Sequence, residues 1–422
     1  MKEEIQETRF DNGLVVLTDR MSGVRSATLG FFFRIGSRHE PNELNGISHF
    51  IEHTVFKGTS RRTAFDIAIE QDRLGGNLDA FTTHEETGFA IKVIDDQLPR
   101  AFDLIADMLV NPRFNEADLK SEQQVIIEEM KMIEDSPEEY LGDIFSTALF
   151  PGHPLGMSIA GTKETVQSFD TEVTRLYHAN AFNPSNLVIS AAGNLDHESV
   201  VSLVRNSFGY DVRIDGHRVA TQPVLSSPFL IKNKRGLEQA HLTIATPFVS
   251  AVDERRYAAD LLANIIGGGT SSRLWQKIRE ERGLVYNVGA SSISYQDCGL
   301  FTIFAACSPT NVTEVSTVAV AEMRDIVDNG VSPDELELAR QQSIASILLS
   351  LEDSASRAAS LAQSEIVHKR QITVEETLER INAVTANDLT TLAREFFTTS
   401  GLAFAALGDL KSIRLSPDDL TI

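Results

Sequence analysis

Cysteine is almost absent from this chain, which has 422 residues and only two cysteines, Cys298 and Cys307. The two lack the spacing of a cysteine metal site, so this kind of site is excluded. Such a low cysteine content fits a reducing compartment, and small apolar cysteines are commonly buried. We therefore expect both to lie in the interior of a cytoplasmic protein.

Long apolar runs are also missing, since none approaches the roughly 18 residues that a membrane span requires. The opening residues 1–7 are acidic and polar, so we expect neither a secretory signal nor an Arg-rich transit peptide. Basic residues are in deficit, with 38 Lys and Arg against 60 Asp and Glu and a net charge of −22. This charge argues against nucleic-acid binding, because phosphates would be repelled. Any part of it that lined a cavity would attract basic peptides.

The length indicates two domains, because a single core rarely grows beyond about 250–300 residues. The composition, 42% hydrophobic and 23% charged, is typical of a soluble globular protein. Residues 209–230 are rich in turn formers and only weakly periodic. We therefore expect a first domain at 1–210, a linker at 211–230 and a second domain at 231–422.

The two halves show the same succession of predicted elements. In the first half we expect strands at 13–19 and 26–35, helices at 44–57 and 62–74, strands at 77–83 and 87–94, and helices at 97–110 and 115–133. In the second half we expect a strand at 241–246, helices at 253–266 and 271–282, strands at about 285–294 and 299–307, and helices at 311–329 and 333–351. Each half is predicted to be an α+β sandwich, a mixed and mostly antiparallel sheet with helices on one side.

Short sequence segments that recur at a constant offset support an internal duplication. Gln123-Gln124 recurs as Gln341-Gln342, and the triplet at 134–136 recurs at 352–354, both displaced by 218 positions. Two matches at one offset inside similar helices favour duplication over coincidence. The second half contains no His-x-x-Glu-His sequence. We infer that only the first copy kept its chemistry.

The first half contains His49-Phe-Ile-Glu52-His53 within a predicted helix. Residues four apart share a helix face, so both imidazoles can reach one Zn²⁺ at about 2.0–2.1 Å. Glu52 lies on nearly the same face, close enough to take a proton from a metal-bound water. Since a catalytic zinc usually has three protein ligands, one ligand must come from elsewhere. A chance motif on a helix face is the alternative.

The acidic helix 115–133 offers Glu122, Glu128 and Glu129 as the third ligand. Glu122 and Glu129 lie two turns apart on one face, and Glu128 is rotated away by about 100°. This pair could supply one ligand and one hydrogen-bond acceptor for a histidine. An ordinary solvated acidic face would look the same, so the spacing leaves the choice open.

The stretch 46–59 resembles the active-site helix of the pitrilysin-type inverzincins, zinc metallopeptidases with an inverted motif, and is closest to their mitochondrial-processing-peptidase-like branch. The resemblance covers nearly the whole chain. In that family the third ligand is a Glu about 76 positions after the second His, and position 129 is 76 after His53. The resemblance thus implies Glu129 as the ligand, Glu122 as the conserved acidic partner seven residues earlier, and one Zn²⁺ per chain.

Two further stretches resemble substrate-binding segments of the same family. Residues 267–286 match a segment whose Arg and Tyr, seven apart, hold the substrate backbone and the oxyanion, which implies these roles for Arg279 and Tyr286. An alternative is that Arg279 is a surface residue and Tyr286 part of a core. Residues 75–83 match the edge strand that pairs with substrate. This implies substrate contacts by Asn77, Asp79, Ala80, Phe81 and Thr82, although Asp79 stands where the family usually has Asn.

The resemblance implies a metalloendopeptidase in which Glu52 is the base and Arg279 and Tyr286 stabilise the oxyanion. Family enzymes enclose unfolded peptides or presequence-like segments in a clamshell of four such domains. A chain with two domains would therefore pair, as a homodimer or with a related chain. The alternatives are a non-catalytic, peptide-binding partner subunit and an assembly protein of a larger membrane complex. The complete set of site residues favours catalysis.

Overall fold

The computed structural model describes residues 3–209 and 221–422, so residues 211–220 of the expected linker 211–230 lie outside the described part. The chain folds into two compact units. The first takes residues from 1–132, 157–221 and 348–372, and the second takes residues from 133–156, 222–347 and 373–422. Each unit therefore contains one segment from the other half of the sequence. The assignment of 1–210 and 231–422 as separate domains stays a prediction.

The first unit is built on a six-stranded sheet. Its strands are β1 Ile5–Arg9, β2 Val15–Arg20, β3 Ser26–Phe33, β4 Leu78–Thr82, β5 Thr87–Ile94 and β6 Leu187–Gly193. They lie in the order β1-β2-β6-β3-β5-β4, in which the β2–β6 pair is parallel and the others are antiparallel. The helices are α1 Ile47–Thr54, α2 Ala64–Leu74, α3 Leu98–Val110, most of α4 Glu116–Asp135, α6 Lys163–Ser168, α7 Thr171–Ala181, α8 His197–Phe208 and α12 Ser354–His368.

The second unit is built on a five-stranded sheet. Its strands are β7 Phe229–Asn233, β8 Ala240–Phe248, β9 Val285–Ser294, β10 Gly299–Cys307 and β11 Ala403–Gly408. They lie in the order β7-β11-β8-β10-β9, in which the β7–β11 pair is parallel and the others are antiparallel. Its helices are α5 Pro137–Leu149, α9 Arg256–Gly267, α10 Val312–Asn329, most of α11 Pro333–Ser350, α13 Val374–Ala383, α14 Ala386–Phe396 and the π-helical turn Trp275–Glu280.

The two sheets share one topology. The order β2-β6-β3-β5-β4 corresponds strand for strand to β7-β11-β8-β10-β9, including the parallel pair. The predicted fold class, two related α+β sandwiches with mostly antiparallel sheets, is confirmed. Among the described residues, no helix combines the length and the apolarity needed to cross a membrane.

Both faces of each sheet are covered, which differs from the expected single layer of helices. In the first unit, Val16 packs into the core with α1, α3 and α8, whereas its neighbours Val15 and Leu17 pack against Leu361 and Ile366 of α12. Successive strand side chains point to opposite faces, so the unbroken apolar run of β2 serves two layers. In the second unit, α5 lies in the corresponding apolar cluster with residues of β11. Each of these helices comes from the other half of the sequence. The order of elements within one half therefore could not predict this second layer.

Candidate metal centre

Helix α1 carries the three motif residues and is held tightly at its start. It begins after Gly46, whose φ of +95° is unfavourable for other residues. A Cβ at Gly46 would also lie 2.7 Å from the carbonyl oxygen of Ala160. Phe50 and Ile51 are fully buried in the core, so they fix the rotation of the helix. The imidazoles of His49 and His53 are consequently held on a partly open face, 12% and 23% exposed.

A buried carboxylate caps this helix. The side chain of Glu40 accepts hydrogen bonds from the backbone N–H groups of Gly46 at 2.7 Å and Ser48 at 2.8 Å. Burial raises the pKa of Glu40 to about 7, although the hydrogen bonds act in the other direction. Sequence reasoning missed this contact, because Glu40 precedes the helix by more residues than the usual capping patterns span.

The structure brings His49, His53 and Glu129 together, with their candidate ligand atoms all within 4.8 Å of one another. Glu129 Oε2 lies 3.8 Å from His49 Nε2 and 3.7 Å from His53 Nε2. A tetrahedral ion bound at about 2.1 Å separates its ligand atoms by roughly 3.4 Å, close to these distances. Glu129 Oε2 is also buried without a hydrogen-bond partner among the described residues. Two imidazoles and one carboxylate therefore fit a catalytic zinc ion.

The other carboxylates of α4 are placed differently. Glu122 Oε2 lies 3.3 Å from His53 Nδ1, and Glu122 Oε1 lies 2.6 Å from Lys57 Nζ. Burial alone would raise the pKa of Glu122, but the hydrogen bonds to His53 and Lys57 bring it below its ordinary value. The side chain of Glu128 is 67% exposed and pairs with Lys131. Lys57 was not a candidate from the sequence, since its contact depends on how α4 packs beside α1.

The two histidines have different electrostatic environments. Burial, reinforced by the charge of His53, lowers the pKa of His49 to about 4. Burial also acts to lower the pKa of His53, but its hydrogen bond to Glu122 and nearby carboxylates raise the pKa above its ordinary value. A metal ligand must be a neutral imidazole, so His49 is already in the state that binds metal at neutral pH.

Glu52 is 8% exposed and lies next to the ligands without joining them. Its Oε2 accepts a hydrogen bond of 2.7 Å from the hydroxyl of Thr82. Burial raises the pKa of Glu52, and the Thr82 hydrogen bond partly offsets this rise. A carboxylate whose pKa is raised above its ordinary value is better suited to accept and return a proton.

The predicted substrate strand is the edge strand β4, which pairs with β5. Asn77 directly precedes it and is exposed. Ala80 packs into the core that contains α1, whereas Phe81 packs on the opposite face, with its ring centroid 6.2 Å from that of Phe32. Asp79 is exposed and shares the face of Phe81, so its side chain points away from the metal centre. The alternation thus places Ala80 and Thr82 on the face towards α1, where Thr82 forms a hydrogen bond with Glu52.

Arg279 and Tyr286 lie together in the second unit. The guanidinium carbon of Arg279, in the π-helical turn, is 4.0 Å from the ring centroid of Trp275 and 5.0 Å from that of Tyr286. Tyr286 is 77% exposed near the start of β9, so it is not part of a core. The residues displaced by 218 from Glu122 and Glu129 are Arg340 and Ile347, and neither supplies a ligand. In the described ranges, the His49 group is the only cluster of three with metal-type geometry.

The chain matches known protein families in both halves. Residues 15–163 match the family described as Insulinase (Peptidase family M16), and residues 168–343 match the Peptidase M16 inactive domain. An uncharacterized zinc protease of Bacillus subtilis is 36% identical over 395 residues, which is 93% of this chain and 96% of the relative. One of Mycobacterium leprae is 36% identical over 420 residues, which is 98% of this chain and 94% of the relative.

Solved structures show the same fold. A protease from Helicobacter pylori superposes with a TM-score of 0.89 at 20% identity, covering 96% of this chain and all of the other. A chain of Complex III2 from Candida albicans superposes with a TM-score of 0.85 at 19% identity, covering 99% of this chain and all of the other. The relatives named zinc proteases confirm the predicted resemblance. The chain belongs to peptidase family M16, the insulinase family of zinc proteases.

Proposed function

We propose that this chain is a zinc-dependent endopeptidase that hydrolyses unfolded peptides. The observation that carries the proposal is the convergence of His49, His53 and Glu129, with the buried carboxylate of Glu52 beside them. The set combines a three-ligand metal position with a separate proton acceptor. A structural zinc site would instead use four protein ligands and need no base.

His49, His53 and Glu129 would hold one zinc ion per chain. Bound zinc supplies a Lewis acid that lowers the pKa of a water molecule and polarises a carbonyl group. Glu52 would take the proton of the attacking water and pass it to the leaving amine of the cleaved peptide bond. Glu122 would keep the His53 ring oriented through Nδ1 and favour the Nε2 lone pair for the metal. Lys57 would fix Glu122 in turn.

Strand β4 would bind the peptide by adding it to the sheet, because main-chain pairing needs an extended segment and an unpaired edge. A folded substrate cannot offer such a segment, so we propose unfolded peptides as the substrate class. Arg279 and Tyr286 carry donors suited to the oxyanion that forms at the scissile carbonyl. Tyr286 is exposed and Arg279 stacks on it, so the pair is available to a ligand.

We further propose that the active species is a dimer located in the cytoplasm. The resemblance implies a chamber of four domains, and this chain contributes two compact units. A second copy, or a related chain, would supply the rest. The scarcity of cysteine, with Cys298 and Cys307 the only two in the sequence, fits a reducing compartment.

The test is to purify the chain alone, measure zinc per protomer, and assay a mixed library of unfolded peptides beside a folded protein. We expect one zinc per chain and cleavage of the peptides, with the folded protein left intact. Bound zinc without cleavage of any peptide would favour the alternative, a non-catalytic peptide-binding subunit. Absence of zinc after reconstitution would contradict the metal centre itself.

A further inference from the structure

The hydroxyl of Thr82 is the hydrogen-bond donor to the candidate base. Its Oγ1 lies 2.7 Å from Glu52 Oε2, within the range of charge-assisted hydrogen bonds. In residues 3–209 and 221–422, no other donor reaches the Glu52 carboxylate by hydrogen bond. Since Glu52 is only 8% exposed, the loss of this donor would leave a nearly buried carboxylate unpaired on that side.

The alternation of β4 explains why Thr82 faces Glu52. Leu78 and Ala80 pack against the core cluster that also contains Ile47 and Phe50 of α1. Side chains two residues apart in a strand point to the same face, so Thr82 also points towards α1. A shift of one residue in the pairing of β4 with β5 would turn Thr82 away from the base.

The chain just after Thr82 is fixed by main-chain contacts. The N–H of Ser37 donates to the carbonyl of Thr83 at 3.0 Å, and the N–H of Arg38 donates to the carbonyl of His84 at 2.9 Å. The approach is close enough that a Cβ at Gly36 would lie 2.4 Å from the Thr83 carbonyl oxygen. Two backbone segments therefore hold the end of β4 in place, so the hydroxyl of Thr82 has little freedom to move.

The same strand has an outer edge. β4 is the last strand of its sheet, and among the described residues it pairs with β5 alone. The backbone of β4 is therefore available to an extended peptide on one side, while the side chain of Thr82 reaches Glu52. One strand thus combines the proposed peptide-binding edge with the contact that orients the proposed base.

We propose that Thr82 is the positioning residue of Glu52, holding its carboxylate in one orientation and linking it to the strand that pairs with the peptide. The role rests on the proposed peptidase function and refines it. It goes beyond the substrate-binding role expected for Thr82, because the side chain acts on the base rather than on the peptide. Glu52 Oε2 is held by Thr82, so Oε1 remains the oxygen free to exchange a proton.

The test compares Thr82→Val with Thr82→Ser in the zinc-loaded, full-length protein. Valine keeps the shape of threonine without the hydroxyl, and serine keeps the hydroxyl. We expect Thr82→Val to lower kcat by about 10- to 100-fold, because a misoriented base is costly. KM and zinc content should stay at wild-type values, and the variant should remain folded, with at most a modest loss of thermal stability from the unpaired carboxylate. Thr82→Ser should restore most of kcat.

Thr317→Val is the matched control, because the Thr317 hydroxyl donates to carbonyls of its own helix α10 and lies outside the proposed site. We expect it to affect kcat far less than Thr82→Val. Crystal structures of zinc-loaded wild type and Thr82→Val provide a measurement independent of turnover. The Glu52 carboxylate should have one conformation in the wild type and several in the variant.

A normal kcat in Thr82→Val, or a single Glu52 conformation in that variant, would overturn the proposed role. Equal losses in Thr82→Val and Thr82→Ser would do the same, since they would point to packing rather than to the hydroxyl. A wild-type protein that binds zinc but cleaves no peptide would contradict the proposed function instead. In that case the conformation of Glu52 still decides the role of Thr82.

Discussion

Glu122 Oε2 lies 3.3 Å from Nδ1 of His53, the ring nitrogen that does not face the metal position. This contact selects the tautomer in which Nδ1 carries the proton and Nε2 is free to bind metal. Helix α4 thus provides two different functions from one face. Glu129 faces the ligand nitrogens of both histidines, and Glu122 orients one of the two rings.

We expect Glu122→Gln to weaken zinc binding by about 10- to 100-fold, as is typical when the partner of a metal-binding histidine is lost. The amide carries no charge to stabilise the His53 N–H, and Lys57 loses its ion pair. Zinc competition against a chelator measures the change. Glu116→Gln is the control, since Glu116 lies on the same helix and pairs with Lys120 on the surface. Unchanged affinity in Glu122→Gln would contradict the assigned contact.

Glu129→Gln should weaken zinc binding more than Glu122→Gln does, because it removes a charged ligand rather than a supporting contact. Glu128→Gln should leave zinc binding unchanged, since its side chain is 67% exposed and pairs with Lys131. Zinc retained after dialysis against graded chelator compares the variants. Equal losses in the variants at 128 and 129 would show that the helix is rotated relative to our assignment.

Part of this arrangement could be predicted from the sequence and part could not. The pairing of His49 with His53 follows from the four-residue period of a helix, which is a local rule. The choice of Glu129 over Glu122 came from the family spacing, because both lie on one face of α4 and only the packing of α4 beside α1 separates them. Helical periodicity alone therefore cannot distinguish the two carboxylates.

Other features depend on pairing between distant segments. The contact of Thr82 with Glu52 requires the register of β4 against β5, and the cap by Glu40 requires a loop to fold back on α1. The two helices that cover the outer sheet faces, α5 and α12, belong to the opposite half of the sequence. The order of elements predicted most strands of the two sheets, but it missed β1, β6, β7 and β11 and could not assign these helices to a sheet.

A third prediction concerns stability. His178 Nε2 donates to the carbonyl of Leu109 at 3.0 Å, and the ring stacks on Phe182. Burial, only partly offset by this hydrogen bond, lowers the pKa of His178 to about 4. Its ordinary pKa is higher, so the unfolded chain binds the proton first. The neutral His178 therefore makes its full contribution to the free energy of unfolding above about pH 6.5, and this contribution is lost as the pH falls towards 4.

We therefore expect wild type and His178→Gln to differ in pH dependence. When the pH is lowered from 7.5 to 5, the free energy of unfolding of the wild type should fall by about 2 kcal/mol more than that of His178→Gln. Denaturant unfolding at the two pH values measures the shift. Both proteins are kept in chelator, so that metal loss at His49 and His53 cancels. A pH-independent difference would show that His178 titrates normally in the folded chain.

The proposed dimer predicts that Tyr286 acts on the metal centre of its partner. Glu52→Gln and Tyr286→Phe chains should each be impaired alone. After mixing and proven subunit exchange, one site in each mixed dimer combines an intact Glu52 with an intact Tyr286, and activity should recover with the amount of mixed dimer. No recovery despite exchange would mean that Tyr286 acts within its own chain or not at all. A near-normal rate in the Tyr286→Phe homodimer would end its catalytic assignment.

The most direct test of the account is the comparison of zinc content and peptide turnover in Glu52→Gln. Glu52 lies beside the ligands but is not one of them, so the variant should bind one zinc per chain with wild-type affinity. Turnover of an unfolded peptide should fall by at least about 100-fold, since a general base typically contributes this much or more. Glu128→Gln, assayed in parallel, should keep both properties. Loss of zinc in proportion to activity would make Glu52 a ligand, and full turnover with full zinc would remove its role as the base.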